Sequence, residues 1–360
     1  MSDDPQLERL RDGSAWDAFC DHLKAAGRSV MERAPDDALD QAEGMRYVGR
    51  IASHALRSFI EERDPAAPVI AGLPKLGGDN PDYVYTAASL SGAHSYRLRG
   101  RLGEASYLGI GSYAGEVGTE DGLRCSGYRT GDEIEIGADG RFELTIACQE
   151  QPGNWLPMEA DTTQLMIREL MLDRRNQRAA TFEIERLDGD EAAQPLSPLR
   201  YAAQLAAAGA YVEGAIGQFL TWTEAFAAAP NTIPRIPDHL QVAAQGDAQT
   251  HYYGGYYALE PGKVLVIELV PPECEYWNLQ LCNHWLESLD FTRHTVSVNH
   301  DSAVADGEGC VRIVVAREDP GVPNWLDAAG HDRGCIILRQ VGTPSPCDPV
   351  CRLVPLDAIA

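Results

Sequence analysis

Two stretches of this chain can be laid on each other residue by residue, and that internal repeat limits the fold more than any other feature. Leu90 falls on Leu259, Leu98 on Ile267, Glu104 on Glu273 and Tyr107 on Tyr276, without a gap, at an offset of 169. Further on, Asn154, Trp155 and Leu156 fall on Asn324, Trp325 and Leu326 at an offset of 170, and Arg168 falls on Arg339 at 171. Drifts of one residue are what single loop insertions produce, so the chain reads as a duplicated unit.

Each copy is built of short alternating runs, such as Tyr96 to Arg99 and Phe142 to Ile146, separated by glycine turns and by Asp139-Gly140. Alternation with period two buries one face of a strand, and Asp-Gly favours a tight hairpin. The 34 Gly and 22 Pro of the 360 residues fit many turns and short strands. A repeated unit of about 110 residues of this kind suggests a sandwich or jelly roll per copy.

Helical periodicity appears outside the copies. Trp16, Phe19, Cys20 and Leu23 make one stripe, and Val48, Ile51, Ala55, Leu56, Phe59 and Ile60 make another that ends at Asp64-Pro65. Between the copies an Ala-rich helix carries Tyr211, Val212, Ala215, Ile216, Phe219 and Leu220 on one face, closed by Pro230, Pro234 and Pro237. The expected organisation is a helical segment at 1–66, a first β module at 67–190, a helical linker at 191–238 and a second β module, from about Leu240, at 239–360.

The net charge of −24 repels phosphate backbones and anionic membrane surfaces, which leaves a small molecule as the expected partner. Nine scattered cysteines without a Cys-x-x-Cys pattern fit reduced thiols, and Cys347 and Cys351 lack a second ligand pair. The polar start has no signal-peptide pattern, and no run approaches the ~18 apolar residues of a membrane span. A cytoplasmic protein is expected. The histidines form neither His-x-His nor His-Glu-x-x-His, so neither a metal nor another cofactor is expected. Gly109, Gly111 and Gly115 resemble a dinucleotide loop but are mis-spaced and sit in a strand pattern, where a glycine-kinked strand is the better reading.

Function is expected where the copies differ and polar groups gather. Asn80, Asp82, Tyr83 and Tyr85 put an amide, a carboxylate and two phenols into six residues, with both tyrosines on one face of a strand. In the second copy His251, Tyr252, Tyr253, Tyr256 and Tyr257 flank a Gly pair and can line an apolar wall with hydroxyl handles; Tyr252 aligns on Tyr83. Asn283 and His284 follow a strand, with Arg293 beyond them. His284 or Asp82 would carry a proton, and Arg293 or Arg339 would stabilise an anion. Each of Arg168 and Arg339 lies in an apolar strand, as either a buried tie or a ligand clamp. The shared Asn154/Asn324 and Trp155/Trp325 are expected to be architectural.

The order of Tyr276 to Leu281, Asp306-Gly307, Asp319 to Leu326 and Ile337 to Arg339 resembles the domain-of-unknown-function family numbered 1214, over about 250–342. Asn80-x-Asp82-x-x-Tyr85 is similar to a motif of its usual upstream partner, family 1254, with Tyr83 where that family usually has Thr. The resemblance implies two jelly-roll-like modules in tandem, somewhat like double jelly-roll capsid folds and often oligomeric, and it implies no activity.

The fold expected is therefore mainly β: two tandem jelly-roll-like antiparallel β-sandwich modules, with an N-terminal helical segment and an inter-module helix. The function expected is an enzyme or enzyme-like ligand-binding protein for an apolar, hydroxylated organic compound, by a cofactor-independent lyase, isomerase or hydrolase step. The alternative is a non-catalytic oligomeric assembly or carbohydrate-binding protein. Convergence of the polar groups in a closed site would favour the first, and spread along an open groove the second.

Overall fold

A computed structural model describes residues 4–119, 122–189, 195–237 and 250–359. The module boundaries expected at 190/191 and 238/239, and Leu240, lie outside these described residues. Four α-helices are described: α1 Pro5–Arg11, α2 Ser14–Arg33, α3 Ala38–Leu56 and α4 Pro198–Ala227. None is long and apolar enough to cross a membrane.

The helices form on the stripes read from sequence. In α2 Phe19 is buried, whereas Trp16 is 51 % exposed and does not join the packed face. In α3 the buried positions are Tyr47, Ile51 and Ala55, and Phe59 follows in a last, wider turn at Arg57–Glu61. Asp37 caps α3, its Oδ1 accepting from the Leu39 and Asp40 backbone N–H at 2.8 and 3.1 Å. That cap fixes the first turns, where Asp40 and Glu43 stand three residues apart on one face. Pro198 opens α4, where its missing N–H costs nothing.

The first β block contains β1 Ala71–Gly72, β2 Tyr83–Ser89, β3 Tyr96–Arg101, β4 Tyr107–Gly115, β5 Leu123–Thr130, β6 Arg141–Ala147, β7 Trp155–Pro157, β8 Thr162–Leu170 and β9 Thr181–Arg186. The second contains β10 Thr250–Ala258, β11 Lys263–Leu269, β12 Tyr276–Leu281, β13 Ser297–Asn299, β14 Val311–Ala316, β15 Trp325–Asp327, β16 Arg333–Val341 and β17 Val350–Pro355.

In the first block one sheet has the order β1-β2-β8-β4-β5 and the other β7-β6-β3-β9. In the second the orders are β10-β16-β12-β13 and β15-β14-β11-β17. Apart from β1, the two blocks have the same order strand for strand. All pairings are antiparallel except β6 with β7 and β14 with β15. Each block closes its own core. Leu98, Leu144, Leu156 and Leu165 lie in the first, and Ile267, Ile313, Leu326 and Ile336 in the second. The chain is thus mainly β, with two jelly-roll-like sandwiches.

The register agrees as well. Leu98 lies opposite Leu144 as Ile267 lies opposite Ile313, and Thr145 opposite Trp155 as Val314 opposite Trp325. Asn154 Nδ2 donates to the carbonyls of Glu135 and Glu143, and its Oδ1 accepts from the Glu135 N–H. Asn324 does the same with Val304 and Arg312. The indoles of Trp155 and Trp325 donate to the carbonyls of Ala147 and Ala316 at 3.0 and 3.2 Å. Both tryptophans are half-buried, and the fully buried member of each trio is the leucine.

The copies part on the outer face of the β3 and β11 sheets. In the first block that face carries Arg97, Arg99, Glu143 and Glu185, a solvated charge ladder with Arg99 Nε on Glu143 at 2.9 Å. In the second it carries Val264, Val266 and Val314, buried together with Ile359 of the C-terminal turn. Gly109 and Gly111 sit inside β4, paired on both sides, with a bulge beside them at Ser112/Tyr113. Any side chain there would strike the rings of Tyr128 and Tyr113.

Two compact units result, and they cut across the chain segments. One comprises Met1–Glu32, Met45–Pro74 and Asp82–Gly217; the other Arg33–Gly44, Lys75–Pro81 and Gln218–Ala360.

Candidate functional site

The second unit holds a dense set of buried polar side chains. Strand alternation explains the first part of it. On β12 Trp277, Leu279 and Leu281 enter the sandwich core, so Tyr276, Asn278 and Gln280 face the other way. On β16 Ile336 and Leu338 enter the core, so Arg339 joins them on the outer face. The strap Lys75–Pro81 lies over this face. Asn80 Nδ2 donates to Tyr276 Oη at 3.0 Å, and Asn278 Nδ2 donates to Asn80 Oδ1 at 3.0 Å. Gln280 Nε2 donates to the Asp79 carbonyl at 2.7 Å. Arg339 Nη1 donates to Gln280 Oε1 at 2.6 Å, its Nη2 donates to the Gly78 carbonyl, and its guanidinium lies over the Tyr252 ring. Arg339 therefore acts as a tie between strap and sheet. Asn278 Oδ1 is buried and has no hydrogen-bond partner.

The turn after β12 supplies the second part. Asn283 Oδ1 accepts from the Trp285 and Glu287 N–H at 3.0 and 3.1 Å, winding the chain around its own side chain. Leu286 takes a left-handed φ of 57° to complete it. The wound turn aims Asn283 Nδ2 at Glu43 Oε2, 2.9 Å away, and Trp285 Nε1 at the Asp40 carbonyl, 2.8 Å away. Glu43 Oε2 also meets His331 Nε2 at 2.9 Å. His331 is held from behind by Nδ1 against the Ala328 carbonyl at 3.0 Å, in a tight turn with Ala329 at φ 49°.

Asp40, Glu43 and His331 are all buried, and donor atoms of the three lie within 4.8 Å of one another. Asp40 is 4 % exposed, and its Oδ1 has no hydrogen-bond partner. Burial first, then the charges of Asp37 and Glu43, push the Asp40 carboxyl up to about 6 against the pull of His331 and Arg333. For His331 burial acts downward, but its hydrogen bond to Glu43, the Glu43 charge and the Ala328 carbonyl outweigh it and raise the imidazole above its ordinary value.

The residues singled out in the sequence are divided by the structure. Asn80 belongs to the second unit and Asp82 to the first. In the first unit Asp82 is buried and its carbonyl accepts from Met171 N–H at 2.7 Å. Tyr83 and Tyr85 stack with ring centroids 5.7 Å apart, sharing a face as expected. The β ladders set Tyr85 opposite Arg168 and Tyr252 opposite Arg339, which makes Tyr85, rather than Tyr83, the counterpart of Tyr252. The tyrosines of β10 do not line one wall. Tyr253 and Tyr257 enter the core, while Tyr252 and Tyr256 face outward, as strand alternation requires.

His251 is a strap: its Nδ1 accepts from Arg235 Nη2 and its Nε2 donates to the Thr343 carbonyl, both at 2.9 Å. His284 is likewise saturated, with Nδ1 accepting from Tyr256 Oη at 2.8 Å and Nε2 donating to the Arg33 carbonyl at 3.2 Å. Burial drops its pKa to about 4, so it is a neutral tie with no nitrogen left for substrate. Arg293 does not join any cluster. Its side chain is 82 % exposed beside Asp290. Asp40, Glu43 and His331 escaped the sequence reading. The one local signal was the i,i+3 carboxylate pair opening a capped helix.

The sequence family described as a protein of unknown function, DUF1214, matches residues 85–171. The match lies on the first β block, whereas the sequence pattern places the resemblance over 250–342. The elements that carried that reading, a Tyr opening β12, the Asn-Trp-Leu pin and an Arg in β16, all have counterparts in β4, β7 and β8. No characterised protein matches the chain in sequence. Among solved structures, an uncharacterized protein from Burkholderia cenocepacia is 36 % identical, with 98 % of this chain and 99 % of that one covered and a TM-score of 0.93. The VPA0106 protein from Vibrio parahaemolyticus is 13 % identical, with 93 % and 99 % covered and a TM-score of 0.49.

Proposed function

The chain belongs to the same family as the Burkholderia cenocepacia protein, and since that kinship brings no reaction with it, we propose a function from the site itself: an enzyme or enzyme-like protein that binds a small organic molecule at the second β block. One observation carries the reading. Two carboxylates and an imidazole are buried within reach of one another, and a carboxylate oxygen among them is left without a partner. Folding alone gains little from such a group, because burying an unpaired polar atom costs about 1–3 kcal/mol. Clusters of this kind gather at functional sites. The apolar and hydroxylated surroundings, Trp285 and Tyr256 with Asn283, suit a ligand of the same mixed character.

The charge of −24 supports such a ligand over nucleic acid or an anionic membrane surface, and free thiols at all nine cysteines accord with a reducing compartment such as cytoplasm. The common strand order and the paired Asn-Trp-Leu pins support descent of both blocks from one duplicated DUF1214-like unit. The relationship of the Asn80–Tyr85 stretch to family 1254, and a homo-oligomeric state, belong to the same proposal.

A second reading, a non-catalytic assembly or carbohydrate-binding protein, draws on the saturation of His251, His284 and Arg339 by internal bonds. A thermal-shift screen of the whole chain against a metabolite library separates the two. Hits that vanish in Asp40→Asn and persist in Asp82→Asn support the first reading. Hits lost only in Asp82→Asn move the site to the first block. Hits confined to oligosaccharides and kept by both variants favour the second.

A further inference from the structure

We infer that Asp40, Glu43 and His331 form a divalent-cation site in the second β block. The inference deepens the reading above by naming what the cluster holds, and it rests on the same residues, but metal content decides it rather than turnover.

The argument begins with hydrogens. A carbonyl only accepts, so the 3.0 Å contact between His331 Nδ1 and the Ala328 carbonyl places the ring hydrogen on Nδ1. The other nitrogen meets Glu43 Oε2 at 2.9 Å, through a second hydrogen if the ring is an imidazolium and through its lone pair if the ring is neutral. Two acceptors at that distance repel unless a proton or a cation lies between them. Asp40 adds a third acceptor to the same space, with donor atoms of all three within 4.8 Å of one another. Its Oδ1 is buried and finds no hydrogen bond. A metal at ~2.0–2.2 Å from each ligand needs its donors within about 4.4 Å of one another, at most a few tenths of an ångström of closing here, and would satisfy all three at once.

The surroundings are built as a ligand set is built. Two of the ligands are held by a second group, His331 by the Ala328 carbonyl and Glu43 by Asn283 Nδ2 at 2.9 Å, while the Asp37 cap fixes the helix turn that carries Asp40. The sources are rigid, a capped helix turn and two turns that take left-handed backbone at Leu286 and Ala329. Two carboxylates and one imidazole are nitrogen and oxygen donors of total charge −2, suited to Zn²⁺, Mn²⁺ or Fe²⁺ and unsuited to soft Cu⁺. Three protein ligands leave positions open for water or for an oxygen of the small molecule. The spacing rules applied to the sequence could not find this set, because Glu43 and His331 are 288 residues apart.

The competing state holds protons instead, with an imidazolium on Glu43 and a neutral Asp40. Metal binding separates the two. Purified, untagged full chain is stripped with EDTA, dialysed, and titrated with Mn²⁺ and with Zn²⁺ by calorimetry; metal retained after gel filtration is counted by elemental analysis. About one equivalent is expected, with affinity lowered at least tenfold in Asp40→Asn, Glu43→Gln and His331→Gln, since even second-shell changes cost 10–100-fold. His294→Gln, at the half-buried pair with Asp327, should bind as the parent does. Absence of binding by the parent protein overturns the inference, and so does binding that the three variants retain. If a variant fails to fold, the position of an anomalous peak in parent crystals soaked with Mn²⁺ decides it. Absence of metal together with a ligand that still needs Asp40 would overturn the metal while leaving the proposed function standing.

Discussion

Replacing Asn324 by Ala tests the architectural half of this account. Three hydrogen bonds disappear: Nδ2 to the Val304 carbonyl at 2.7 Å, Nδ2 to the Arg312 carbonyl at 3.2 Å, and the Val304 N–H to Oδ1 at 2.8 Å. At about 1 kcal/mol each their loss costs about 3 kcal/mol. Asn324 also sits at φ 55°, a left-handed conformation that Asn tolerates and Ala pays for with roughly 1 kcal/mol. In the first block the same three bonds are made by Asn154, but there the left-handed residue is Gly153, at φ 76°. Asn154→Ala should therefore cost about 3 kcal/mol and Asn324→Ala about 4. Urea unfolding followed by tryptophan fluorescence measures both, because Trp155 and Trp325 adjoin the pins. The reasoning fails if either variant loses less than about 1 kcal/mol, or if Asn154→Ala is the more damaging.

Other expectations follow from single contacts. His284→Ala should destabilise by about 2–4 kcal/mol, seen in the same urea titration, since it orphans Tyr256 Oη and the Arg33 carbonyl in a buried place; an unchanged midpoint would return His284 to the list of available bases. Gly334→Ala should lower the melting temperature sharply, because its Cβ would meet the Cys282 carbonyl and the Tyr257 ring; a neutral result would mean the β16 edge has slack. His54 and His284 are both held at about 4 by burial, His54 beside Arg57, Tyr211 and Ser58 and His284 beside Arg333 and Tyr256. Above pH 6.5 both are neutral folded or unfolded. As pH falls from 6.5 toward 4 only the unfolded chain takes up the proton, so stability is lost, by up to about 3 kcal/mol for each histidine. Urea midpoints across that range should fall less steeply in His54→Gln than in the parent, and parallel curves would refute the assignment.

Much of the fold was legible in the sequence because duplication prints the same signal twice. The Asn-Trp-Leu pins, the Leu98/Ile267 strands and the buried face of α4 were each visible as pattern. The single wall expected of the β10 tyrosines fails on alternation alone, since Tyr252 and Tyr253 must face opposite ways on any strand. Other features needed three dimensions. Asn80 and Asp82 look like one motif, yet the chain leaves one compact unit for the other between Pro81 and Asp82. His284 reads as a free base in the sequence, yet burial drops its pKa to about 4 against the upward pull of the Arg33 carbonyl. Asp40 and Glu43 resemble ordinary carboxylates near a helix start until the turns at Asn283 and Ala328 deliver their partners. The family resemblance went to the second block for a related reason: both blocks carry the elements it rests on.

The central claim is that Asp40, Glu43 and His331 together hold a cation, and the most direct measurement is a crystal of the full chain soaked in Mn²⁺ after chelation, with diffraction collected on the long-wavelength side of the iron edge to bring out manganese. The account requires an anomalous peak bounded by Asp40, Glu43 and His331 Nε2, at ligand distances of about 2.0–2.2 Å. A map with no peak there, while His331 Nε2 stays hydrogen-bonded to Glu43 Oε2 at its present 2.9 Å, would contradict it and leave the cluster as a store of protons.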